Sequence, residues 1–165
     1  MFRFHRAASV CVLGVSALAA GMLMCVSGCQ HTDTSADSTK SLYDRLGGDP
    51  AITAVVDDFV GKAASDPAVN FTRKGHGNSW DPTPDNVAKL KKHLVQFIES
   101  ATGGPQKYEG RDMATVHSGM GISESEWGAI VADLKAALND LKVPDKEQSD
   151  LIAVVATTHD SIVGK

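Results

Sequence analysis

The sequence predicts an all-α fold, and three observations carry that expectation. In four segments apolar residues recur at intervals of three or four, the spacing that gathers them on one helix face. Helix-start signals precede these segments: Asp49-Pro50, Thr83-Pro84, and Ser123 with Glu126 as a Ser-x-x-Glu capping box. No segment alternates polar and apolar residues over the length of a strand. Four main helices with short connectors follow, without internal repeats.

The amino-terminal residues stand apart from that fold. Arg3 and Arg6 make a basic flank, residues 10–26 an apolar and small-residue run, and Val26-Ser27-Gly28-Cys29 follows. This is the order of a signal peptide. Val-Ser-Gly before a cysteine resembles a bacterial lipobox, which implies cleavage ahead of Cys29 and a diacylglyceryl thioether on its sulfur. Residues 1–28 are then a leader. Residues 29–40 are a lipidated cysteine and a polar, Ser- and Thr-rich tether. Residues 41–165 form the helical domain. Of the three cysteines, Cys11 and Cys25 leave with the leader and Cys29 carries lipid, so the domain is expected to hold no disulfide.

Within the domain, residues 41–46 form a short helix closed by Gly47-Gly48. Asp49-Pro50 opens the next helix, with Ile52, Val55, Val56, Phe59 and Ala63 on one face and an end near Asp66-Pro67. Residues 69–82 read as a loop anchored by Phe71 and Trp80. The helix from Thr83-Pro84 carries a stripe of Val87, Leu90, Leu94, Phe97 and Ala101, and stops at Gly103-Gly104-Pro105. Residues 111–118 make a short helical segment. The capped helix behind Ser123 carries Trp127, Ile130, Val131, Leu134, Leu138 and Leu141. After Val143-Pro144-Asp145, a last helix carries Leu151, Val155, Thr158 and Ile162.

Composition narrows the function. Charge is mixed along the chain, with 16 basic and 20 acidic residues, which gives no electrostatic reason to expect nucleic-acid binding. Losing Arg3 and Arg6 with the leader makes the remainder more acidic still. Membrane attachment is therefore expected through lipid rather than through a basic face. There is no CxxCH sequence for covalent c-type haem attachment.

Several short stretches together resemble the truncated haemoglobins, specifically their first group. They are Leu42-Tyr43-Asp44-Arg45-Leu46-Gly47-Gly48, Val55-Val56-Asp57-Asp58-Phe59, Gly103-Gly104-Pro105, Tyr108, Gly110-Arg111-Asp112-Met113, His117, Gly121-Ile122-Ser123, and Leu141, Val143 and Pro144. In order and spacing they span roughly residues 41–163. The resemblance implies a two-over-two helical sandwich around haem b, with His117 as the proximal iron ligand. Neutral imidazole suits iron at neutral pH, and one such bond can fix haem in a helical pocket. Phe59, Phe97 and Trp127 read first as core packing, and for Phe59 and Phe97 the resemblance implies contact with the haem face.

The distal side departs from the family. Where first-group members usually place tyrosine, this chain has Val60; where they often place glutamine, it has Leu94, with Leu90 one turn earlier. Neither can give the hydrogen bonds that stabilise bound oxygen. His93 stands where some cyanobacterial members carry a distal histidine ligand, so a second axial bond is an expectation. The other reading of His93 is an exposed helix histidine flanked by Lys91 and Lys92. Lys89, Lys91 and Lys92 are candidates to pair with haem propionates. His76 and His159 lie outside any motif and are read as non-ligands.

The resemblance thus implies a protein that binds O2, CO or NO, or exchanges electrons at haem iron with an unknown redox partner. It is expected in the cell envelope on the periplasmic side. Gln30 after Cys29, in place of an aspartate, favours the outer membrane. Peroxidase-like or NO-detoxifying chemistry with His93 as acid or base is one alternative. A helical envelope interaction lipoprotein without cofactor is another.

Overall fold

The computed structural model describes residues 39–165; the leader, Cys29 and most of the tether lie outside the described residues. Among the described residues seven helices follow in order: α1 Leu42–Arg45, α2 Gly48–Ser65, α3 Pro84–Thr102, α4 Met113–His117, α5 Glu124–Asp140, α6 Asp145–Ala156 and α7 His159–Ile162. The all-α expectation holds, and an isolated parallel bridge joins Ile122 to Val163. Among the described residues no helix is long and apolar enough to cross a membrane.

Local chemistry explains most helix ends. The Ser41, Thr83, Asp112 and Ser123 side chains each accept a backbone N–H of the first turn they precede. At Ser123 the capping box closes both ways, with Glu126 Oε2 accepting from the Ser123 N–H at 2.9 Å. Two boundaries differ from expectation. α2 begins at Gly48 rather than at Asp49-Pro50, because Gly47 takes φ 97° and starts the helix one residue early. Pro50 still falls in the first turn, where a missing N–H costs no helix bond.

The last helix does not run on to Ile162. It stops at Ala156, since the Thr157 and Thr158 hydroxyls turn back to the carbonyls of Val154 and Val155, at 2.7 Å each. Their backbone N–H groups bond to the same two carbonyls, a tighter turn that ends the α-helical ladder. α7 then begins as a separate piece.

The core lies where α2 packs against α3 and α5. Ile52, Val55, Val56 and Val60 of α2 meet Val95 and Ile98 of α3, Leu134 and Leu138 of α5, and Leu151 of α6. Each such side chain taken from water contributes about 1.5–3 kcal/mol. α1 is tied to α6 by Arg45, which pairs with Glu147 at 3.1 Å and with Asp150.

The expected stripe of α3 behaves otherwise. Leu90, Leu94 and Phe97 are only half-buried, Ala101 is exposed, and Val95 and Ile98 enter the core instead. What the stripe faces is a cavity.

Candidate functional site

That cavity has a volume of about 530 Å³ and opens between α3, α4, α5 and the loop of residues 66–83. Leu90, Leu94 and Phe97 form one wall, while Met113, Val116 and His117 of α4, with Ile130 of α5, stand on others. Its size is that of a small-molecule or cofactor site, and its lining is mostly apolar with a few polar groups.

His117 is the last residue of α4, and its Nδ1 lies 2.8 Å from the Met113 carbonyl oxygen. A carbonyl can only accept, so the proton belongs to Nδ1 and the Nε2 lone pair remains available. Burial holds the imidazole pKa below its usual value, against a smaller upward pull from the Met113 bond. The ring is therefore neutral at neutral pH, the state in which imidazole binds a metal. A carbonyl on the far ring nitrogen is the outer-shell partner that fixes a ligand histidine's orientation and raises its basicity.

Among the described residues no three His, Cys, Asp or Glu side chains come together as a metal site. A single neutral imidazole on an apolar cavity instead fits iron carried by a macrocycle, as in haem. The cavity rim agrees with a carboxylate-bearing guest. Lys89 and Arg111 line it, and among the described residues neither forms a salt bridge. Lys91 and Lys92 do not line it; they pair with Asp57 at 2.9 Å and Glu109 at 3.4 Å.

The other expected site residues divide. His93 lines the cavity but is exposed, its ring edge-on to Tyr108 at 6.2 Å between centroids. Phe59 and Val60 do not line it. Val60 is 4% exposed in the core, and its α2 neighbour Phe59 packs against the same cluster. Val60 borders a second groove of about 520 Å³ on the other side of the loop, with Val87 and Lys91. Both grooves share Val69, Asn70 and Phe71 as a common wall. His76 is exposed and outside the cavity. His159 pairs with Glu124 at 3.0 Å and Asp160 at 2.8 Å, also outside it.

Phe71, Trp80 and Tyr108 also line the cavity. Trp80 and Phe71 stack edge-on at 5.3 Å, with Trp80 Nε1 donating to the Phe71 carbonyl at 2.7 Å. Tyr108 packs edge-on to Phe97 at 5.9 Å and donates its hydroxyl proton to the Arg111 carbonyl at 2.9 Å. Burial pushes the phenol pKa up, so it stays a donor. The neighbouring Gly110 is the visible signal, since a Cβ there would fall 2.2 Å from the Tyr108 oxygen. Arg73, read as an ordinary loop residue, is 5% exposed and reaches Glu126 of α5.

Residues 41–163 match the family model of bacterial-like globins. Among curated relatives, a group 1 truncated haemoglobin of Mycolicibacterium paratuberculosis is 32% identical over 116 residues, 70% of this chain and 79% of that protein. A group 1 truncated haemoglobin of Tetrahymena thermophila is 30% identical over 125 residues, 76% of this chain and 96% of that protein. The crystal structure of the Fe(III) form of Tetrahymena pyriformis truncated haemoglobin superposes with a TM-score of 0.66 at 28% identity, covering 76% of this chain and 100% of that one. The two-over-two haemoglobin of a Synechococcus species, in the cyanomet state with covalently attached haem, gives 0.63 at 26% identity, again over 76% and 100%.

Proposed function

The chain belongs to the bacterial-like globin family, as a truncated haemoglobin of the first group, and from that premise we propose that His117 holds haem b and that the iron takes a diatomic ligand. The two-over-two fold and haem iron are those of the family. The observation that carries the reading is the His117 imidazole: neutral, oriented by Met113, and set on the wall of an apolar cavity.

Haem supplies an iron centre able to bind O2, CO or NO and to change oxidation state. The chain's own residues decide what that centre can do. His117 offers Nε2 and keeps its ring direction through Nδ1. Leu90, Leu94 and Phe97 offer no hydrogen bond, while the Tyr108 proton is already committed to Arg111. Such a wall favours CO and NO, which need little polar support, over O2, whose bound form is polar. Lys89 and Arg111 are the rim cations suited to the haem carboxylates.

His93 is a polar group of the α3 wall, exposed at the rim. Its place supports a second reading in which it would be a further iron ligand, or would serve as acid or base beside the haem. Ligand binding would then fall by the fraction of closed state. The Val-Ser-Gly-Cys sequence supports a lipid anchor at Cys29 that holds the domain outside the cytoplasm.

Ligand dissociation rates of the reduced, hemin-loaded chain test the distal reading. Leu94→Gln should slow O2 release by about tenfold, the worth of one hydrogen bond, and leave CO release nearly unchanged. Equal O2 release in wild type and Leu94→Gln would show that α3 does not present Leu94 to the ligand.

A further inference from the structure

The loop of residues 66–83 is bonded on both sides of the cavity. Internally, the Trp80 N–H donates to the Thr72 carbonyl at 3.1 Å, and the His76 N–H to that of Arg73 at 3.0 Å. Its far end runs into Thr83, the cap of α3, the helix that carries Leu90, His93, Leu94 and Phe97. From its middle, Arg73 reaches the opposite side. Arg73 Nη2 donates to the Met120 carbonyl at 2.6 Å and lies 3.4 Å from that of Gly121. Nη1 pairs with Glu126 Oε1 at 2.5 Å. A second loop side chain, Asn78, donates from Nδ2 to the Ser118 carbonyl at 3.2 Å. Residues 118–121 are the turn directly after His117, closed by the Met120 N–H on the His117 carbonyl at 3.0 Å.

We propose that Arg73 is a positioning residue for His117, and that this loop is a strut joining the distal helix to the proximal turn. The inference rests on His117 being the iron ligand. Two features of Arg73 say that its place is enforced. It is an almost fully buried cation, which is tolerated only with partners. It also holds φ 53°, left-handed backbone that a side-chain-bearing residue keeps only where the surroundings impose it. Its donors go to the segment that sets where α4 ends, and so where the His117 ring sits. A displacement of α3 would thereby reach the turn after His117 through Thr83, the loop and Arg73.

The test uses the full-length chain loaded with hemin and reduced, in a His93→Ala background so that the iron keeps one axial imidazole. Resonance Raman reads the iron–imidazole stretching band, and transfer to apomyoglobin reads hemin loss. Arg73→Met should shift or broaden the band and speed hemin loss by about tenfold, the lower range for an outer-shell partner. Arg73→Lys, which keeps a donor for Met120, should recover part of both. Asn78→Ala, which leaves Arg73 in place, should give the same change in smaller measure and serves if Arg73→Met fails to fold. An unchanged band with only a lowered melting temperature would make Arg73 purely structural and overturn the proposal. Should the unsubstituted strut show no iron–imidazole band at all, the haem reading itself fails. Arg73 is then judged on the apo chain by the His117 Nδ1–H resonance in 15N NMR, and its persistence unaltered in Arg73→Met would overturn the strut.

Discussion

Glu126 Oε1 lies 2.5 Å from Arg73 Nη1 while Oε2 of the same carboxylate caps α5 at Ser123, 2.9 Å from its N–H. One side chain thus joins a helix start to a loop 53 residues away. Burial alone would raise its pKa, but the Ser123 N–H, the Arg73 guanidinium and the Ser123 hydroxyl outweigh that and hold it at about 2. A depressed carboxylate pKa contributes stability above its unfolded value and loses it as pH falls through the folded value. Glu126→Gln should therefore be less stable than wild type at pH 7. The difference should shrink between about pH 4.5, the ordinary value, and about pH 2. Urea midpoints across that range check it.

His159 gives the opposite slope. Its bonds to Asp160 and then Glu124 raise its pKa above the ordinary 6.5. A raised histidine pKa stabilises fully below the unfolded value, and the contribution is lost as pH rises through the folded value. His159 opens α7, whose far end leads into the bridge of Val163 with Ile122 and the bond from the Gly121 N–H to the Lys165 carbonyl at 2.7 Å. Hydrogen exchange at Gly121 and Gly164, corrected for intrinsic rate, should show protection falling from pH 6 to pH 8 in wild type. His159→Ala should show no such fall.

Leu138 is fully buried at the contact of α5 with α2. Leu138→Ala leaves a cavity that the neighbouring Val56 and Leu151, themselves 1% exposed, cannot close. The cost should be about 2–5 kcal/mol, read from urea unfolding. A smaller cost would mean that α5 settles onto α2.

Lipidation gives a prediction outside the helical domain. Expressed in a bacterium, the chain should take up radiolabelled palmitate and sediment with membranes. Cys29→Ser should lose the label and leave the membrane fraction. Label retained in Cys29→Ser, or wild type found unlabelled and free of membrane, would contradict the anchor.

What the sequence made legible follows from the range of each interaction. Thr83-Pro84 and the Ser123–Glu126 capping box act within one turn, so residue order alone places those starts. The α3 stripe was visible as a periodicity, which assigns residues to a face but cannot say whether that face meets protein or a cavity. Only the family resemblance put Leu90, Leu94 and Phe97 on the haem side, and all three line the cavity. The start of α2 depends on a left-handed Gly47, and the end of α6 on two threonine hydroxyls, neither of which periodicity records. Arg73 and Tyr108 act through partners chosen by tertiary packing. Nothing local marks an arginine in a polar loop as buried, and Gly110 beside Tyr108 becomes informative only once the phenol is seen folded over it.

The central claim is that His117 holds iron, and an absorption spectrum tests it most directly. The full-length chain is reconstituted with hemin and recorded ferric and dithionite-reduced, alongside His117→Ala and His93→Ala. Stoichiometric binding with an imidazole-ligated spectrum that collapses in His117→Ala is the expected result. His93→Ala then separates the two distal readings, by converting a low-spin spectrum to high-spin or by leaving a high-spin one as it was. A chain that never binds hemin specifically, or a His117→Ala spectrum identical to wild type, would contradict the account at its foundation.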